Sequence, residues 1–311
     1  MLLLLRWLSR RPLRLLHAIG AVLGWLVYWA SPSYRRRLRD NAQRAGILLA
    51  QRRESVGQAG KMVLESLRLW LRPPDQPIAD AVHWHDAQLI DEALALGRGL
   101  IFLTPHLGSF ETTAQAYAQR FGAHQPITVM YRPARYRVLR ELEEAARARP
   151  ALATAPAAIA GVRQMLRALK RGEAVGLLPD QVPPDGLGVW ADFFGAPAYT
   201  MTLAARLAQL SGAPIVLARC ERLPRGRGFE LRLSTLSEPL PLRGDDAQAL
   251  QIAQAAVINR AMQQLILQCP QQYLWGYNRY KRPRGLAAPV APAASVASVA
   301  SVAAPPDTPD A

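Results

Sequence analysis

"GLIFLTPHLGSFETTAQAY", residues 99–117, changes character in the middle. Leu100-Ile101-Phe102-Leu103 is a continuous apolar run of the kind found in a strand buried on both faces. It stops at Thr104-Pro105. Gly108 permits a tight turn, Ser109 is a good N-cap, and the spacing predicts a helix over 109–120. A strand feeding directly into a helix is the first half of a βαβ unit. Ligands of open α/β sheets bind at the carboxyl edge of the strands, and His106 leaves such an edge at once. Glu111 falls in the first helical turn. Folded back, it would accept the Nδ1 proton of His106 and leave Nε2 to take a proton from a substrate hydroxyl. The competing reading is a loop histidine followed by an ordinary helix-start carboxylate.

The same alternation continues on both sides. "AVHWH" reads as a short strand, followed by a helix over 86–96 that ends on Gly97. "PITVMY" is a strand and 136–148 a helix. "GVRQMLRALKRG" is a helix and "AVGLLP" a strand. "TMTLAARLAQLSG" is a helix, "PIVLARC" and "GFELRLS" are strands, and 246–268 is a long helix. The expected fold class is α/β: a central, mostly parallel sheet flanked by helices.

Upstream, residues 38–72 are helical in pattern until "RPPDQP" (72–77) breaks the run. Further upstream, arginines at 6, 10, 11 and 14 precede the apolar segment "LLHAIGAVLGWLVYWA" (15–30), and Arg35-Arg36-Arg37 follows it. Trp25, Tyr28 and Trp29 sit near its end, as in an aromatic belt. The segment reads as a membrane-associated helix, either spanning or lying in the interface. After Gly285 the chain becomes rich in Ala, Pro, Ser and Val, a composition that cannot bury a core. The expected organisation is an anchor over 1–37, a catalytic domain over 38–285 and a disordered tail over 286–311.

The formal net charge is +15. Of 38 Lys and Arg, only Lys61, Lys170 and Lys281 are lysine, leaving 38 − 3 = 35 arginines. Guanidinium forks suit phosphates and carboxylates, so the expected partners are anionic. Zinc patterns and aromatic RNA-binding signatures are missing, which argues against nucleic acid. Cys220 and Cys269 make no disulfide framework. His83 and His85 are two apart without a third ligand nearby, so no metal or cofactor is expected. There is no Gly-x-Ser-x-Gly elbow. The attacking group should therefore be an alcohol or water brought by the substrate.

Five blocks in order resemble the lipid A late acyltransferases: "HLGSFE" (106–111), Tyr131-Arg132-Pro133, Pro179-Asp180-Gln181, Phe193-Phe194-Gly195 with Thr200 to Thr202, and "PQQYLWGYNRYKRPRG" (270–285). The resemblance runs over roughly 1–284. It departs at Ser109-Phe110, where many members carry Asn-Trp. The Pro-Glu-Gly-Thr block of glycerolipid acyltransferases is replaced by "LLPDQVPP". The resemblance implies an acyl-carrier-protein thioester as donor. It implies as acceptor the hydroxyl of a hydroxyacyl chain on a phosphorylated, Kdo-bearing glucosamine disaccharide. The enzyme would then sit on the cytoplasmic side of the inner membrane.

Within that frame His106 and Glu111 are the expected catalytic pair. Arg132 is expected to clamp an acceptor phosphate or support the oxyanion. Asp180 would orient Arg132 or His106, bind substrate, or cap a turn. Arg163 opens a basic helix face, and Arg279 would hold phosphate or belong to a basic rim. Three rivals remain at this level: transfer to another glycolipid or phospholipid, a membrane-bound thioesterase using the same base on water, and a non-catalytic basic binding protein.

Overall fold

The computed structural model describes residues 2–73, 76–131 and 149–283. Four helices come first: α1 (Leu2–Ser9), α2 (Leu13–Ala30), α3 (Pro32–Arg44) and α4 (Leu49–Trp70). The α/β part follows with β1 (Val82–His85), α5 (Gln88–Ala95), β2 (Leu100–Leu103), α6 (Phe110–Phe121), β3 (Ile127–Tyr131) and β4 (Leu152–Pro156). Next are α7 (Ile159–Lys170), β5 (Ala174–Leu177), β6 (Gly188–Phe193), β7 (Ala196–Met201) and α8 (Leu203–Ser211). β8 (Ile215–Arg222), β9 (Phe229–Ser234) and α9 (Ala247–Gln268) complete it.

Seven strands form one sheet in the order β1-β9-β8-β2-β5-β3-β4. All neighbouring pairs are parallel except β8 and β9, so β9 and its parallel partner β1 run against the rest. β2 and β5 are buried along their whole length. Their side chains alternate between two cores. Ile101 and Leu103 join Met165, Leu207 and Ile258 from α7, α8 and α9. Leu100 and Phe102 join Ile90 and Tyr117 from α5 and α6. Each fully buried Leu, Ile or Phe contributes roughly 1.5–3 kcal/mol. Helices thus cover both faces of the central strands, and the α/β expectation holds in this mostly parallel form.

Several elements differ from the sequence reading, among them the helical pattern read over 38–72, which is split between α3 and α4. β4, "LATAP", has too little branched or aromatic character to stand out as a strand. The helix expected from Thr200 begins instead at Leu203, because Thr200 and Met201 belong to β7. β6 and β7 form a separate antiparallel hairpin. Its turn is Phe194-Gly195, with φ of +51° and +72°, where asparagine would be the usual first residue. The helix expected at 136–148 and the tail after 285 lie outside the described residues.

By length and composition α2 is able to cross a bilayer. Yet it buries one stripe, Leu13, Leu16, His17, Gly20 and Gly24, against the protein. Its neighbour is α4. A Cβ on Gly24 would lie 2.3 Å from the Val56 carbonyl oxygen, and one on Gly60 would lie 1.9 Å from that of Gly20. The opposite face keeps Val22, Leu26, Val27 and Trp29 more than half exposed. The boundary expected between residues 37 and 38 falls inside α3.

Candidate active site

The site is assembled by strand register. β2 and β5 are parallel neighbours with Leu103 opposite Leu177. Each chain then runs on as Leu-x-Pro: Leu103-Thr104-Pro105-His106 beside Leu177-Leu178-Pro179-Asp180. The ladder is prolonged by the Thr104 N–H donating to the Leu177 carbonyl at 3.2 Å. His106 and Asp180 are equally far past the paired leucines (106 − 103 = 3 and 180 − 177 = 3), so the carboxylate arrives beside the imidazole.

Asp180 grips His106 twice. Oδ1 lies 2.7 Å from Nδ1 of the ring, and Oδ2 accepts the His106 backbone N–H at 2.9 Å. Asp180 is 1% exposed, while the His106 side chain keeps 18% of its surface. Burial pushes the Asp180 carboxyl up. Burial is the largest single influence, but the charge of His106, the hydrogen bonds from its ring and backbone, and Arg279 together outweigh it, so the group ends below the ordinary aspartate value. The carboxylate fixes Nδ1 as the protonated nitrogen, and Nε2 is left to act as a base. Phe110 packs its ring 4.9 Å from the imidazole.

Glu111 does not hold Nδ1 as the sequence suggested; Asp180 does. Five residues along the chain place Glu111 on α6, where its carboxylate accepts from the Trp70 indole N–H of α4 at 3.3 Å. An adjacent parallel strand delivered the nearer acid. Asp180 as the partner of His106 was one of several roles open for it, and the matching Leu-x-Pro strand ends were the signal that singles it out.

The other candidates are dispersed. Arg279 is 2% exposed and faces inward. It donates to the Tyr199 carbonyl and to Thr200 Oγ1, both at 2.7 Å, and stacks over Phe193 at 4.9 Å. The expectation of a phosphate ligand or rim residue is corrected here: this guanidinium ties the β6–β7 hairpin to the C-terminal segment. Burial lowers its pKa. Tyr273 lies beside Asp180, and burial and that carboxylate raise its phenol well above the usual value. Arg163 is exposed, early in α7. That helix follows edge strand β4, three strand spacings or ~14 Å from β2. Arg132 lies outside the described residues; Tyr131 before it ends β3, two strands from β2.

The 106–109 loop is threaded between β8 and the 272–274 segment. Gly108 N–H donates to the Gln272 carbonyl at 3.0 Å, Ser109 N–H to Cys220 at 2.8 Å, and the His106 carbonyl accepts from Leu274 N–H at 3.2 Å. Gly108 has φ +59°, and a Cβ there would lie 2.0 Å from the Cys220 carbonyl oxygen. Only glycine fits. Ser109 stands at the N-cap position, but its hydroxyl pairs with Thr112 Oγ1 at 2.8 Å and caps no backbone amide. In the first turn of α6 the Thr112 N–H donates to the Ser109 carbonyl at 2.8 Å, and the positive end of the helix dipole favours a nearby anionic oxygen.

A His–Asp pair at the carboxyl edge of a parallel sheet, with Nε2 of the ring facing outward from the carboxylate, is an arrangement able to serve as a general base. The chain belongs to the bacterial lipid A biosynthesis acyltransferase family, which it matches over residues 1–282. It is 29% identical over 235 residues to a lipid A biosynthesis lauroyltransferase of Escherichia coli strain K12, covering 75% of this chain and 72% of the relative. It is 27% identical over 293 residues to a lipid A biosynthesis palmitoleoyltransferase of the same strain, covering 88% of each. A lipid A biosynthesis acyltransferase of Shigella flexneri matches to the same extent.

Proposed function

We propose that this member of the lipid A acyltransferase family moves a fatty acyl group from an acyl-carrier-protein thioester to a hydroxyl on a hydroxyacyl chain of a Kdo-bearing lipid A precursor. His106 Nε2 takes the hydroxyl proton as the oxygen attacks the thioester carbonyl. Asp180 holds the ring and stabilises the imidazolium. The tetrahedral oxyanion is stabilised by the positive end of the α6 dipole. Collapse breaks the carbon–sulfur bond, and the thiolate, whose conjugate acid has a pKa near ~8.5, leaves without a strong acid to help it. Glu111 serves the same centre from α6, against Trp70. Arg132 and Arg163 are assigned to acceptor phosphate or carrier-protein contacts.

The observation that carries this reading is the double grip of Asp180 on His106. The outward apolar face of α2, with arginines before and after it, supports seating at the cytoplasmic face of the inner membrane, lying in the interface. The basic surface would draw an anionic carrier protein.

Mass spectrometry of lipid A from cells with and without the chain tests the proposal. The expected result is loss of one secondary acyl group, restored by the wild-type chain and by neither His106→Ala nor Asp180→Ala. Unchanged lipid A would sink it. Rapid thioester hydrolysis without acceptor, and no transfer when acceptor is added, would favour the thioesterase.

A further inference from the structure

Arg222 ends β8, two residues beyond the strand visible in the sequence, and is 4% exposed. Each of its nitrogens is engaged. Nε and Nη2 fork onto both oxygens of Glu65 from α4, the Nε bond being 2.7 Å. Nη1 donates to Gln58 Oε1 at 2.9 Å and, at 3.3 Å, to Gln272 Oε1. Nη2 also donates to the Gly108 carbonyl at 3.0 Å. Gln272 completes the frame. Its side chain bonds the Arg222 backbone on both sides, at 2.9 and 3.0 Å, and its carbonyl takes the Gly108 N–H. Both polar groups of Gly108, two residues after His106, are thus held by Arg222 and Gln272. At the far end, Glu65 Oε2 lies 3.0 Å from Nε2 of His17 on α2.

A buried ion pair adds little stability over a well-packed apolar pair, so stability alone is a poor reason for this one. What it does is aim a charged donor at the loop that carries the base.

We propose that Arg222, oriented by Glu65, is a positioning residue for acyl transfer. It fixes the 106–109 loop so that His106 Nε2 is held at the reaction centre, and it makes the N-terminal helices part of the catalytic apparatus. The inference rests on the acyltransferase reading above. Arg222 and Glu65 themselves lie outside the five sequence blocks.

Steady-state transfer by the full chain in mixed micelles, with acyl carrier protein thioester and lipid acceptor, tests it beside thermal melting. Arg222→Lys keeps the charge and loses the fork. The expected result is kcat down about 10²-fold, the scale of a 1 Å misplacement, with KM within about 2-fold. The double variant Glu65→Leu with Arg222→Met should melt near the wild-type temperature, since no lone charge stays buried, while kcat stays low. A purely structural role predicts that kcat returns with the melting temperature; that recovery, or unchanged kcat in Arg222→Lys, would overturn the proposal. A wild-type chain that transfers no acyl group would instead break the underlying reading and take this inference with it.

Discussion

Two buried ion pairs lie within a few residues of Gly108, and they are built to opposite ends. In His106–Asp180 one partner keeps a nitrogen and 18% of its surface open. In Arg222–Glu65 the side chains are 2% and 1% exposed, and every guanidinium nitrogen is occupied. A pair with an open valence can exchange a proton with a ligand. A saturated one can only hold something still. Under the proposed mechanism the first pair is the reagent and the second the brace, and the number of hydrogen bonds separates them.

Substitutions should separate the two. His106→Ala should lower acyl transfer by about 10⁴-fold, the upper range for a general base, and also lower the melting temperature, because it leaves the buried Asp180 carboxylate without its ring partner. A loss under tenfold would remove the base from the scheme. Asp180→Asn keeps the shape but frees the tautomer, and should cost about 10³-fold in kcat, more than Glu111→Gln at matched pH. Arg222→Met alone strands a buried carboxylate and should cost about 3–5 kcal/mol in urea unfolding. Unchanged stability there would break the contrast from the other side.

Acid offers a subtler test. Glu65 is pushed up by burial but pulled down further by Arg222 and His17, to about 2 from 4.5. A carboxyl with a lowered folded-state pKa contributes stability above its unfolded value and loses it as pH falls. For Glu65 the loss begins near pH 4.5 and is complete below about 2, on the order of 3 kcal/mol. Asp180, also lowered, acts in the same direction. Unfolding followed from pH 7 to pH 3 should fall less steeply in the Glu65→Leu, Arg222→Met double variant; an equal slope would show that Glu65 is not the group responsible. The smallest effect is expected from Glu111→Gln, about tenfold in kcat, measured by the same transfer assay.

Much of the sheet was legible because its central strands are short apolar runs closed by turn residues, as at Leu100–Leu103 and Ala174–Leu177. The β6–β7 hairpin was not, because Phe194-Gly195 is no usual turn pair and Thr200-Met201-Thr202 continues smoothly into a helical pattern. His106 could be found from its position after a strand. Its partner could not be fixed without knowing that β2 and β5 are neighbours, since local distance favoured Glu111 while lateral register favoured Asp180. Arg279 looked like surface because it stands in a basic stretch. Its burial depends on the β6–β7 hairpin closing over it. Arg222 and Glu65 are 157 residues apart and carry no local pattern at all.

At Gly60 there is room for a hydrogen atom and nothing heavier, because the backbone of Gly20 stands against it. At Gly20, Gly24 and Gly60 α2 is therefore keyed to α4 backbone against backbone, which leaves the helix little freedom to slide or roll. Under the interfacial seating proposed above, that rigid joint would fix how far the acceptor hydroxyl has to rise from the bilayer to meet the imidazole.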